Sequence, residues 1–113
     1  MTTIYHNPRC SKSRQGLVLL EESGIEFEII KYLDGNITIK ELETIISKLG
    51  IKPLDLVRQN EAIWKSDYKG KTLSDQQIIE AMVANPKLIE RPIVINGNKA
   101  VVGRPPETIL NII

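Results

Sequence analysis

The chain has 113 residues, 42% of them apolar and 26% charged, with 15 Lys and Arg against 14 Asp and Glu. That length supports one domain spanning 1–113 whose core needs neither disulfide nor metal, and the composition excludes a disordered chain. A net charge of +1 gives no basic face for general nucleic-acid binding, no apolar run reaches the roughly 20 residues that span a bilayer, and the N-terminus lacks the apolar core of a signal peptide; a cytoplasmic protein is expected, with neither membrane nor nucleic acid among its partners.

Thr2-Thr3-Ile4-Tyr5-His6 is short, β-branched and aromatic, which predicts a strand, and Asn7-Pro8 breaks it. From Ser11 the pattern turns helical, with Leu17, Val18 and Leu20 spaced to face a core and Gly24 as a C-cap, so the first helix is expected over 11–23. Glu26 to Tyr32 alternates and then becomes apolar, a second strand running parallel to the first after a helical crossover. Thr38-Ile39-Lys40-Glu41 is a capping box, followed by Leu42, Ile45, Ile46 and Leu49 at helical spacing until Gly50. Pro53 to Arg58 reads as a short helix with proline in its first turn. The stretch from Asn60 to Lys71 has no decisive pattern, although Trp64 and Tyr68 are spaced as a packing pair on one helical face.

A second box, Ser74-Asp75-Gln76-Gln77, opens a helix bearing Ile78, Ile79, Met82 and Val83 that Asn85-Pro86 closes. Pro92 to Ile95, Asn96-Gly97-Asn98 and Lys99 to Val102 form a hairpin, since Asn-Gly between apolar runs signals a tight turn. Pro105-Pro106 starts a last amphipathic helix over 107–113. The order β α β, helices, then β β α predicts an α/β sandwich around a four-stranded mixed sheet.

The only cysteine, Cys10, falls between the first strand and the first helix. Backbone N–H groups at the start of a helix have no intrahelical partner, and together with the helix dipole they favour a thiolate or a bound oxyanion. Arg9, Lys12 and Arg14 add cationic charge, and a thiol in such a setting ionises near neutral pH. A lone cysteine is commonly an inert buried hydrophobe; three cations within four residues favour the reactive reading. With one cysteine there is no internal disulfide, so oxidation at Cys10 must be reversed by an outside thiol.

Ser13 stands where a second cysteine would complete a Cys-x-x-Cys pair, which excludes dithiol exchange within the chain. Its hydroxyl either donates to the thiolate or serves as a first-turn helix serine. His6 either stabilises the thiolate or orders the loop through its ring nitrogens. One Cys and one His fall short of a structural zinc site, and no metal is expected. The five arginines, Arg9, Arg14, Arg58, Arg91 and Arg104, all lie near predicted element ends. Singly each suits a solvated ion pair; jointly they suit a site for a tetrahedral oxyanion, which guanidinium binds through two donors.

The run His6 to Arg14 resembles the opening signature of glutaredoxin-coupled arsenate reductases, and Glu90-Arg91-Pro92-Ile93-Val94 and Gly103-Arg104-Pro105-Pro106-Glu107 resemble their later ones. The chain is most similar in length to the short chromosomal members. The resemblance implies a thioredoxin-like fold with a helical insertion and Pro92 as a cis-proline facing the cysteine loop. It further implies a Cys10 thiolate that attacks arsenate or a related oxyanion, with Arg58, Arg91 and Arg104 binding the substrate, Arg14 supporting the loop and His6 beside the thiolate. Glutathione is then the co-substrate and glutaredoxin the protein that resolves the mixed disulfide. The chain is also similar to thioredoxin-fold adaptors that bind RNA polymerase, whose Cys-x-x-Cys switch Ser13 removes. A general glutathione-dependent thiol oxidoreductase is the third reading, for which three arginines would have no use.

Overall fold

The computed structural model describes residues 2–35 and 37–113. The chain divides into two compact units, one made of residues 1–36 and 91–113 and the other of 37–90. In the first unit β1 (Thr2–Tyr5) leads into α1 (Ser11–Ser23) and then β2 (Phe27–Ile30), while β3 (Ile93–Asn96) and β4 (Lys99–Val102) come from the far end of the sequence. The sheet order is β2-β1-β3-β4. β1 pairs parallel with β2, Thr2 opposite Phe27, and antiparallel with β3, Tyr5 opposite Ile93. The parallel pair requires the helical crossover that α1 supplies. The fold is thioredoxin-like α/β, a mixed sheet with flanking helices.

Gly24 closes α1 in the left-handed conformation at φ 75°, its N–H donating to the Glu21 carbonyl at 3.3 Å. α1 spans the expected residues with Leu20 and Leu17 inward, and its buried face differs from the expected one at Val18. Ser13, Gly16 and Leu20 are buried, Leu17 is half-buried, and Val18 is 47% exposed. Val18 lies five residues, about 140° around the helix, from Ser13. The face turned inward is the one with small residues, because another element crosses close to it. A Cβ on Gly16 would stand 2.9 Å from Ile109 Cδ1 and 3.0 Å from Pro92 Cγ. The core of this unit is Ile4, Leu20, Val94 and Ile109, all fully buried, with Leu17, Ile25, Phe27, Val101 and Ile112 against them.

The hairpin forms with a loop one residue shorter than expected. Asn96 still pairs with Lys99, so the two loop residues are Gly97 and Asn98. Gly97 takes φ 65° and Asn98 does not share it, the sign pattern of a II′ turn. The last element is a 3-10 helix, Pro106–Asn111, where an α-helix over 107–113 was expected. Its bonds are of the short kind, Thr108 N–H to the Pro105 carbonyl at 3.0 Å and Ile112 N–H to the Ile109 carbonyl at 3.2 Å. Ile109 plugs the core from it while Leu110 stays 51% exposed.

The second unit holds α2 (Ile39–Leu49), α3 (Ala62–Asp67) and α4 (Asp75–Ala84). Thr38 Oγ1 accepts the Glu41 N–H at 3.1 Å and Ser74 Oγ the Gln77 N–H at 3.2 Å, so both predicted boxes start their helices. α4 packs on α2 and on the two 3-10 turns Pro53–Leu56 and Pro86–Leu88. The short helix expected over 53–58 stops at Leu56 because β-branched Val57 turns extended and bridges Ile89. Trp64 and Tyr68 stack with ring centroids 5.3 Å apart, the packing pair their spacing predicts.

Candidate active site

Cys10 is the N-cap of α1, in extended conformation at φ −98° and ψ 125°. An N-cap side chain faces the N–H groups of the second and third helical residues, here Lys12 and Ser13. Burial pushes the Cys10 thiol up, but the Ser13 N–H, the Arg91 charge, the Lys12 N–H and a hydrogen bond from Arg91 outweigh it, and the pKa lies below the ordinary cysteine value. The two N–H groups act at a distance short of a formed capping bond. Cys10 is only 8% exposed, and a thiolate so shielded keeps its cationic neighbours effective.

The loop ahead of the cysteine is tied to the helix behind it. The Cys10 N–H donates to the Asn7 carbonyl at 3.0 Å, the Arg9 N–H to Asn7 Oδ1 at 3.0 Å, and Arg14 Nη1 to the Pro8 carbonyl at 2.8 Å. Ser13 is fully buried. Its Oγ accepts the Asn7 N–H at 2.9 Å and lies 2.7 Å from His6 Nδ1, a bond whose direction depends on the imidazole tautomer. These bonds tie the Ser13 hydroxyl to the loop, and the residue reaches the sulfur through its backbone N–H. Burial, then the charges of Lys31 and Arg14, depress the His6 pKa. The imidazole is therefore neutral at pH 7, and what it contributes is a hydrogen bond.

The predicted site residues separate by unit. His6, Cys10, Ser13, Arg14, Arg91, Pro92 and Arg104 all belong to the first, and within it Arg91 meets Cys10 while His6, Ser13 and Arg14 hold the loop. The Arg91–Pro92 peptide is cis, and so is Arg104–Pro105. The Pro92 ring lies against Gly16 and against Gly103, each at 3.0 Å from where a Cβ would stand, and its carbonyl accepts the Gly103 N–H at 2.8 Å. Arg104 is exposed beyond the hairpin, its N–H on the Val102 carbonyl. Arg58 belongs to the second unit, where Nη1 donates to the Lys87 carbonyl at 3.2 Å and Nη2 pairs with Glu61 at 3.4 Å. Asn7 is the residue that sequence reasoning passed over. The available signal was an Asx residue before proline, which caps its own turn. Among the described residues no three His, Cys, Asp or Glu side chains gather as a metal would require, and no helix is long and apolar enough to cross a membrane.

A buried single thiol at a helix N-terminus and an arginine beside it sit on a mixed four-stranded sheet of the thioredoxin-like class, with a cis-proline at the start of β3. The chain belongs to the ArsC family, whose model matches residues 5–112. It is 46% identical to an arsenate reductase of Haemophilus influenzae over 97% of each chain. It is equally identical to the uncharacterized protein YfgD of Escherichia coli, over 97% of this chain and 94% of that one. Among solved structures it is similar to an arsenate reductase from Vibrio cholerae, with a TM-score of 0.95, 44% identity, and 99% of this chain and 97% of that one covered.

Proposed function

We propose that this chain is an arsenate reductase that uses Cys10 as its single nucleophile and draws its electrons from glutathione and glutaredoxin. The observation that carries the reading is the Cys10 thiol held below its ordinary pKa by helix N–H groups and Arg91; the arsenate reductases among its relatives support the substrate. Arsenate is a tetrahedral oxyanion whose charge a guanidinium meets with two donors. The thiolate attacks arsenic(V) and an oxygen leaves as water, giving a Cys10 S–As bond. A glutathione thiolate then attacks Cys10 Sγ in the adduct. The S–As bonding pair stays with arsenic, which leaves as arsenite, and Cys10 remains as a mixed disulfide with glutathione. A glutaredoxin thiol cleaves that disulfide and restores the thiolate.

Arg91 stabilises both the thiolate and the negative charge of the bound oxyanion. Arg104 and Arg58 are proposed as further oxyanion donors, and Arg58 enters on the family resemblance alone. Reliance on reduced glutathione suits the cytoplasm. The test is arsenate-dependent NADPH oxidation coupled through glutathione, glutaredoxin and glutathione reductase, with phosphate as the control anion. Wild-type protein should turn over arsenate and Cys10→Ser should not; equal rates in the two would remove Cys10 from the chemistry. Arg58→Lys should raise the arsenate KM because the planar fork is lost, and an unchanged KM and rate would take Arg58 out of the proposal.

A further inference from the structure

β1 and β2 run parallel, so both strands end at the same edge of the sheet, and in open α/β sheets ligands settle outside the carboxyl ends of strands. Here the pairing continues one step past the strands, the His6 N–H donating to the Ile30 carbonyl at 2.9 Å. That bond holds the cysteine loop alongside the turn that follows β2. Tyr32, 1% exposed, anchors this turn. The Asp34 N–H closes it on the Lys31 carbonyl at 3.1 Å, with Gly35 at φ 83° completing it. Between the two segments is a cavity of about 390 Å³ lined by Asn7, Pro8, Arg9, Lys31, Leu33 and Asp34, a size in the range that small ligands fill. Nothing in the oxyanion chemistry uses it.

Its charges are two cations and one carboxylate, and Arg9 immediately precedes Cys10. We propose that this cavity binds the thiol co-substrate, a small peptide thiol carrying two carboxylates and one ammonium, as glutathione does. Arg9 and Lys31 face the carboxylates and Asp34 the ammonium, so cavity and ligand match in sign and in number. The tight turn from Asn7 to Cys10, closed by the 3.0 Å bond between them, keeps the bound thiol on the loop that carries the sulfur it must attack. Another cavity of this unit, about 440 Å³ between α1 and the last 3-10 helix, is a poorer match. It has Val18 and Leu19 in its wall, one carboxylate in Glu107 and one cation in Arg14, so it offers a single cation for two carboxylates. The inference deepens the glutathione-coupled reading and rests on it.

The test uses the full chain and S-methylglutathione, which cannot form a disulfide, followed by NMR titration of backbone amides. Shifts confined to 7–9 and 31–34 are expected. Arg9→Glu combined with Lys31→Glu should weaken binding at least about tenfold, and raised salt should weaken it too. Wild-type protein should prefer S-methylglutathione to its N-acetyl derivative, and Asp34→Asn should abolish that preference. Absent binding, an affinity indifferent to charge reversal, or shifts that map beside Arg14 and Glu107 would each overturn the assignment. A separate arm measures protection of Cys10 from iodoacetamide by arsenate in the wild-type protein. Protection without S-methylglutathione binding removes the thiol site and leaves the oxyanion reading standing, whereas absent protection strikes at the oxyanion reading itself.

Discussion

Replacing Gly16 by alanine sets two familiar effects against each other. In a helix interior the change removes glycine's excess backbone freedom and should stabilise by about 1 kcal/mol. Here the new methyl carbon would stand 2.9 Å from Ile109 Cδ1 and 3.0 Å from Pro92 Cγ, where carbon pairs rest at about 3.5–4.0 Å. Both neighbours must retreat. The Ile109 methyl is the far end of a flexible chain, but Ile109 is 0% exposed among Ile4, Leu20 and Val94, so it has little room to turn. The Pro92 ring is rigid, and the Gly103 side is as tight, at 3.0 Å. Overpacking of this kind costs about 1–3 kcal/mol, so a net loss of about 1 kcal/mol is expected, a fall in Tm of about 4 °C at this size. Urea unfolding of Gly16→Ala, Ile109→Val and the double variant measures it. Because Ile109→Val deletes the clashing Cδ1, the double variant should lose less than the sum of the two single ones. A Gly16→Ala protein as stable as the parent would refute the claim that α1 is held close to the Pro92 loop by the absence of a side chain.

Two other perturbations probe the cysteine loop. Ser13→Ala removes the fully buried hydroxyl shared by His6 Nδ1 and the Asn7 N–H, and leaving both groups unmatched should cost about 2 kcal/mol; a loss under half of that in chemical denaturation would mean the network is dispensable. For His6 the folded pKa lies below the ordinary 6.5, so the unfolded chain takes up the proton first as pH falls. The stability tied to the neutral ring is then complete above pH 6.5 and is lost below it, with a slope of at most about 1.4 kcal/mol per pH unit. Comparison of parent and His6→Asn between pH 7 and 5 should show the steeper decline in the parent, and parallel profiles would exclude the ring as its source.

The local signals in the chain were read well where one residue decides the outcome. Gly24 and Gly50 close their helices at φ 75° and 67°, and Thr38 and Ser74 open theirs with the hydroxyl bonds their spacing predicts. Periodicity placed α1 over 11–23 with Leu17 and Leu20 inward, as found, but missed that a close crossing by Pro92 and Ile109 selects Ser13 and Gly16 for the buried face and leaves Val18 outside. It also misjudged the C-terminal helix, where apolar spacing does not tell a 3-10 turn from an α-helix. At the site, the position of Cys10 in the sequence, between a strand and a helix, announced the acidic thiol. The meeting of Arg91 with that sulfur depends on β3 pairing with β1, a long-range event. Local pattern put Arg91 among five arginines at element ends, but which of them meets the sulfur is set by that pairing.

The account depends on Cys10 being ionised by its surroundings, and the chain's single thiol makes this directly measurable. Thiolate absorbance followed against pH reports Cys10 alone, in the parent and in Arg91→Met. The parent should titrate below an ordinary cysteine, and Arg91→Met should move the midpoint upward, since the guanidinium acts on the sulfur both by charge and by hydrogen bond. An ordinary alkaline midpoint in the parent, or one that Arg91→Met leaves in place, would contradict it.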